Sequence, residues 1–368
     1  MKIAFYGSSL LSAYWNGAAT YYRGLLRALS ERGYDITFYE PDAYSRQDHR
    51  DIDPPDWCTS VVYPATREGL LGAVAEARNA DIVVKASGVG YEDDALAALL
   101  LEKAAPDALT VYWDVDAPAT LAELAAAPDH PLNRMIGRFD LVLTYGGGPP
   151  VVDAYRAAGA RDCVPIYNAL DPATHHPVPP DPRFAADIAF LGNRLPDRER
   201  RVESFFLEPA ASVPRARFLL GGAGWDGKPM SDNVRYVGHV GTADHNAFNT
   251  SPKAVLNISR ESMARTGFSP ATRVFEAAGA GACLITDAWE GIELFLVPGE
   301  EVLVARDGQD VAEILQDLTP ARAEAIGKAA LARVLAEHTY AQRAVIADNL
   351  FHDQHSLRRR ATMRERAV

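Results

Sequence analysis

The residue types best suited to chemistry lie in one stretch, Gly267-Phe268-Ser269-Pro270-Ala271-Thr272-Arg273-Val274-Phe275-Glu276-Ala277-Ala278-Gly279-Ala280-Gly281. Ser269 reads as a helix N-cap, Pro270 suits the first helical position, and Gly279 with Gly281 closes the helix, so the spacing predicts one short helix punctuated at both ends. The first-turn amides of Ala271 and Thr272 would then have no intrahelical partner, and Arg273 adds a full charge beside the positive end of the helix dipole. That is phosphate-binding chemistry. Glu276, further along, places a carboxylate where it can accept two hydroxyls of a ribose or sugar whose phosphate occupies the helix start.

Two apolar runs must position that helix. Residues 254–259 and 282–287 are short, hydrophobic and end in polar residues, as buried parallel strands do where they meet a cleft. The same alternation fills the chain. Residues 3–6 read as a strand running into Gly7 and a polar, aromatic loop with Tyr14, Trp15, Asn16 and Gly17. Tyr21, Tyr22, Leu25, Leu26 and Leu29 then recur at helical spacing, and residues 36–39 supply the next strand. Gly7 alone opens this first loop, so the dinucleotide fingerprint is absent and no nicotinamide cofactor is expected. In the second half, strands at 187–191, 217–220 and 234–237 spill into Gly192-Asn193-Arg194, Gly221-Gly222-Ala223-Gly224 and Gly238-His239-Val240-Gly241. Ligands of open parallel sheets sit at such carboxyl-end loops.

A length of 368 residues suits two α/β domains. Pro172, Pro177, Pro179, Pro180 and Pro182 allow neither helix nor strand pattern, so residues 171–185 read as the linker between domains 1–170 and 186–338. His175 and His176 are adjacent, which suits a linker surface better than metal ligation. Residues 339–357 form a last helix, with Gln342, Val345, Ile346 and Leu350 spaced for one buried face, and 358–368 read as a solvated or disordered basic tail. Cys58, Cys163 and Cys283, odd in number and widely spaced, suit reduced buried thiols rather than a disulfide framework or zinc site. No apolar run is long enough to cross a bilayer and no leader is readable, so a cytoplasmic protein is expected. The net charge of −12 disfavours a nucleic-acid partner.

The 267–281 stretch, followed by an apolar strand and the turn Pro298-Gly299-Glu300-Glu301-Val302-Leu303, resembles the C-terminal half of group 1 glycosyltransferases, specifically the CgeB-like branch. The resemblance implies a GT-B fold: two Rossmann-like, doubly wound parallel-sheet domains facing each other across a cleft, donor in the second and acceptor in the first, with the last helix crossing back to the first. It implies a nucleoside diphosphate sugar donor (UDP-, GDP- or dTDP-linked), no tightly bound cofactor, and a hydroxyl acceptor that is a small molecule, glycan or protein. Retention of anomeric configuration is the family expectation. Ser269, Ala271, Thr272, Glu276, Asn193 and Gly222 form the expected donor set, Gly238, His239 and Val240 lie against the base, and Gly7 faces the diphosphate. Arg194 takes the diphosphate role together with Arg273, with Arg198, one turn on, as the alternative. In better-known relatives two glutamates stand eight residues apart; the second matches Glu276, and the first position is Phe268.

Asp114-Val115-Asp116 at a strand end invites a different reading, since such a pair can hold a metal on a diphosphate. Two roughly equal α/β halves favour the two-lobed arrangement, in which helix dipole and arginines neutralise the leaving group without a metal. Asp114 and Asp116 then face an acceptor hydroxyl, Asp116 being the better candidate for its base and a helix N-cap its plainer role. Arg260 and Glu261 are further donor-side candidates. A nucleotide-sugar epimerase and an inert nucleotide-sugar-binding protein remain open alternatives.

Overall fold

The computed structural model describes residues 1–14 and 16–366, so Trp15 and the last two residues of the expected tail lie outside the described residues. The chain divides into two compact units, Met1–Tyr167 together with Tyr340–Val368, and Asn168–Thr339.

Unit 1 is built on seven parallel strands, β1 (Lys2–Tyr6), β2 (Asp35–Asp42), β3 (Thr59–Pro64), β4 (Ile82–Ala86), β5 (Leu109–Asp114), β6 (Leu141–Thr144) and β7 (Cys163–Pro165), in the order β3-β2-β1-β4-β5-β6-β7. β4, β5 and β6 are buried at every residue, which is why they read as continuous apolar runs rather than alternating ones. The order reverses between β1 and β4. The helix Ala18–Glu31 buries Tyr21, Tyr22, Leu25, Leu26 and Leu29, as their spacing predicts.

The C-terminal helix runs from Tyr340 to Arg366 and packs on the Ala18–Glu31 helix within unit 1. At Gly24 a Cβ would overlap the Tyr340 ring, so the close approach requires glycine. The buried face is Tyr340, Ala344, Ala347 and Phe351, whereas Val345 and Ile346 are over 40 % exposed, so the face differs from the expected one. Small alanines allow close helix contact, and the tyrosine and phenylalanine rings supply the apolar area. The residues read as a basic tail are also helical through Arg366. No glycine or proline interrupts them, propagation of an established helix is easy, and Arg358 Nε (3.1 Å) and Thr362 Oγ1 (3.0 Å) donate to the Pro106 carbonyl.

Unit 2 carries β8 (Ile188–Leu191), β9 (Phe218–Gly221), β10 (Val234–Tyr236), β11 (Ala254–Asn257), β12 (Leu284–Asp287) and β13 (Leu303–Ala305), all parallel, in the order β10-β9-β8-β11-β12-β13. Phe190, Phe206, Phe218, Leu256 and Ile285 pack its core. Here the order reverses between β8 and β11. The proline-rich stretch is not a free linker, because 171–185 belongs to this unit. The Asp181 amide donates to Ser251 Oγ (2.8 Å), Asn246 Nδ2 to the Thr174 carbonyl (2.9 Å), and Phe184 is buried against Phe248 with ring centroids 5.4 Å apart. Apart from the short 3₁₀ turn Pro182–Phe184, the prolines leave this stretch without regular structure but do not prevent packing. The units divide at Tyr167/Asn168 and Thr339/Tyr340 instead.

Candidate functional site

At the carboxyl ends of β8, β9 and β10, on one side of the switch point where open parallel sheets bind ligands, three glycine-bearing loops are knitted together. The Gly222 amide donates to the Gly238 carbonyl (2.7 Å), the Ala223 amide to Asn193 Oδ1 (2.9 Å), and Trp225 Nε1 to the Gly192 carbonyl (2.8 Å). Gly222 has φ +117°, and a Cβ on it would overlap the Gly192 carbonyl, so backbone meets backbone and no side chain fits. Asn193, Gly222 and Gly238 thus hold the loops to one another. His239 is exposed and Val240 is buried.

The predicted helix spans Thr272–Gly279 and begins later than its sequence suggests. Ala271 (φ −65°, ψ 155°) is the N-cap residue and makes no side-chain cap. Ser269 is not the cap, because its hydroxyl donates to the Gly267 carbonyl at 2.9 Å and the residue is buried. The first-turn amides of Thr272 and Arg273 precede the first intrahelical bond, Val274 N to the Ala271 carbonyl (3.0 Å). The far end closes as expected: Gly281 has φ +74°, and the Ala282 amide bonds back to Ala277 O at 3.0 Å. Phe268, where relatives of the resembled family carry their first glutamate, has φ +48° and its ring lies over Gly291.

Glu276 is buried, 7 % exposed, with Arg273 Nη1 3.7 Å from its Oε2. Burial pushes its carboxyl up, but the fields of His175, Arg273 and His245 and a bond from Thr272 outweigh it and hold the group below its ordinary value. Glu276 is therefore an anion at neutral pH. His175, expected on a linker surface, is 5 % exposed, with its ring 6.2 Å from that of His245. Burial, then the charge of Arg273, push His245 down to about 4, so it is neutral. No spacing marked either histidine, since His175 lies about a hundred residues before Glu276 and His245 about thirty, at the start of the separate helix His245–Thr250.

The two arginines weighed for the diphosphate role differ sharply. Arg194 is spent on Glu199 (2.6 Å), which also receives Lys228 (2.8 Å). Arg198 donates Nη2 to the Asn193 carbonyl (2.8 Å), lies 5.7 Å from the Phe190 ring centroid, and keeps a buried Nε without a partner. Burial and the nearby charge of Arg273 push it down to about 10, with Asp197 opposing and Arg260 adding to the repulsion. It stays charged at neutral pH. Arg198 thus senses both Arg273 and Arg260, and Arg260 Nε bonds Asp197 at 2.5 Å. Asp287, in the same region, is buried on Arg201 (2.6 Å) and Ser259 (3.1 Å), an internal brace for the β11 and β12 ends.

In unit 1 the Asp114-x-Asp116 pair splits. Asp114 is fully buried and accepts from Ser87 Oγ (2.6 Å), Thr120 Oγ1 (3.1 Å), the Asp116 amide (2.9 Å) and the Tyr155 hydroxyl. Four donors exhaust it, which corrects its expected place facing an acceptor. Asp116 is the half-buried N-cap residue of the Ala117–Ala126 helix, with no side-chain capping bond. Gly7 is a steric requirement, since a Cβ would come 2.7 Å from the Phe38 ring. Among the described residues no group of three or more His, Cys, Asp or Glu side chains could hold a metal ion, and no helix is long and apolar enough to cross a membrane.

The architecture has known counterparts. Sucrose-phosphate synthase from Thermosynechococcus elongatus superposes with a TM-score of 0.69 at 15 % identity, covering 97 % of this chain and 100 % of the other. Alr3699/HepE of Anabaena, solved with UDP and glucose, gives 0.68 at 15 % identity over 95 % and 99 %. An alpha-glucosyltransferase solved with UDP-glucose and abasic-site DNA gives 0.70 at 10 % identity over 96 % and 99 %. The fold is GT-B. Within this GT-B chain, residues 198–348 match the family model described as glycosyl transferase-like. That segment contains Arg198, His245, Arg260, Arg273 and Glu276 and leaves Arg194 outside. No curated protein sequence matches the chain.

Proposed function

We propose that this chain is a glycosyltransferase that takes a sugar from a nucleoside diphosphate sugar and gives it to a hydroxyl, in the manner of the CgeB-like branch it resembles, and that it works in the cytoplasm. The observation that carries the reading is Arg198, charged, bonded to a carbonyl and set beside Arg273, at the switch point of unit 2 and near an unsatisfied helix start. A diphosphate would relieve that repulsion. Glu276, held ionised, accepts the ribose hydroxyls, and the Gly238–Val240 backbone lies against the base. During transfer the bond from the anomeric carbon to the diphosphate oxygen breaks. The acceptor oxygen bonds that carbon and yields its proton to a base, and the negative charge stays on the nucleoside diphosphate, where Arg198, Arg273 and the helix dipole stabilise it. Those cations do the work a metal does elsewhere, so the reaction proceeds without one, with hexosyl transfer and retention as the family expectation. Asp116 is the residue proposed near the acceptor hydroxyl. Phe268, in the first-glutamate position, favours a second reading, a nucleotide-sugar-binding protein without turnover.

The test is a panel of UDP, GDP, dTDP and their sugars, scored by thermal shift and then by product analysis in excess EDTA. One nucleotide at a hundred times its Kd should stabilise by about 2.7 kcal/mol, its sugar should be turned over, and Glu276→Ala should weaken its binding about tenfold. Stabilisation by none of them refutes the donor site, binding without transfer to any acceptor supports the second reading, and turnover restored only by manganese overturns metal independence.

A further inference from the structure

Unit 1 has its own switch point, between β1 and β4, and three loops meet there, after β1, β2 and β4. Ser8 and Gly88 touch: a Cβ on Gly88 would lie 3.5 Å from that of Ser8. Arg46, on the loop after β2, links the other two loops and is 4 % exposed. Its Nη1 donates to the carbonyls of Val89 (2.6 Å) and Ser8 (3.4 Å), while its Nε is buried with no hydrogen-bond partner. The carboxylates that face it are occupied. Glu40 accepts from the Leu10 (2.5 Å) and Leu11 (3.3 Å) amides, Ser9 Oγ (3.1 Å) and Gln47 Nε2 (2.6 Å), and Asp93 pairs with Lys85 at 2.7 Å. The Tyr44 ring covers the guanidinium, 5.2 Å from its Cζ, and is itself 61 % exposed. A buried cation is ordinarily matched by a carboxylate; this one is met by carbonyl dipoles and a ring face, in a chain of net charge −12.

We propose that this switch point is an anion-receiving site: the edge of the Arg46 guanidinium left unused by the carbonyls takes a carboxylate or phosphate monoester, and the Tyr44 face lies against the ligand's apolar side. A planar guanidinium is the donor best matched to either oxyanion. Under the glycosyltransferase reading, on which this last step rests, the ligand is the acceptor, so the acceptor is an anionic hydroxyl compound such as a sugar phosphate or a sugar acid.

Titration calorimetry on the full chain at fixed ionic strength, with glucose 6-phosphate, glucuronate and glucose as probes and UDP in a parallel run, tests this. At least one anionic probe should bind tenfold or more tighter than glucose, and Arg46→Gln should remove that preference while UDP binding persists. A preference for the phosphate or for the carboxylate identifies which oxyanion the site takes. If Arg46→Gln fails to fold, Arg46→Lys, which keeps the charge and loses the planar fork, should lose the preference at least partly. Equal affinity for all three probes in the unaltered chain, or an unchanged preference in a folded Arg46 variant, overturns the proposal. UDP binding with no anion preference removes this site and leaves the donor reading standing; anion preference without UDP binding does the reverse.

Discussion

His245 makes the strongest quantitative claim about the site. Burial and the charge of Arg273 hold it at about 4 against 6.5 in an unfolded chain. Between those values the unfolded state binds a proton that the native state refuses, so stability contributed by the neutral imidazole is complete above pH 6.5 and lost as pH falls toward 4. From pH 7 to pH 5, with about 1.4 kcal/mol for each tenfold step, the loss is about 2 kcal/mol. Ordinary carboxylates titrate mainly below that window and are common to any variant. The perturbation is His245→Gln, which keeps a polar side chain and removes the titration. Urea unfolding of unit 2 at pH 7 and pH 5, in both proteins, should show the unaltered chain losing about 2 kcal/mol more than the variant across the interval. Equal losses in the two would mean that His245 is neither buried nor close to Arg273, and the charge arrangement drawn around Glu276 would fall with it.

The contrast between the two arginines gives a second test: Arg198→Gln should weaken UDP binding tenfold or more by calorimetry, whereas Arg194→Gln, which breaks a pair with Glu199, should leave it within about threefold. The reverse ranking would restore Arg194 to the diphosphate. Asp114→Asn should destabilise unit 1 by about 2–3 kcal/mol in urea, because an amide nitrogen is set against donors that a carboxylate satisfied. A folded variant of unchanged stability would mean Asp114 is not the internal hub described.

Local pattern made much of this protein legible. Alternating apolar runs and glycine-ended helices announced the parallel α/β halves, since strand burial on both faces and helix periodicity are written in neighbouring residues. The helix bearing Arg273 and Glu276 is equally readable, although its sequence places the start two residues early, because Ser269 could cap it and only the folded loop shows its hydroxyl turned to Gly267. The proline-rich stretch misled in the opposite sense: prolines report what the backbone cannot form and nothing about what it packs against.

What the amino-acid order indicates alone is the kind of chemistry proposed for this chain, an anion-binding helix start with a carboxylate behind it. Which side chains are available for that chemistry was decided by the tertiary structure. On paper Arg194 ranks ahead of Arg198 for the diphosphate, and Asp116 ahead of Asp114 as the base. Only three-dimensional packing spends Arg194 on Glu199, surrounds Asp114 with four donors, and brings His175 and His245 to Glu276. A side chain's availability depends on neighbours distant in sequence, and through burial and charge those same neighbours set its protonation.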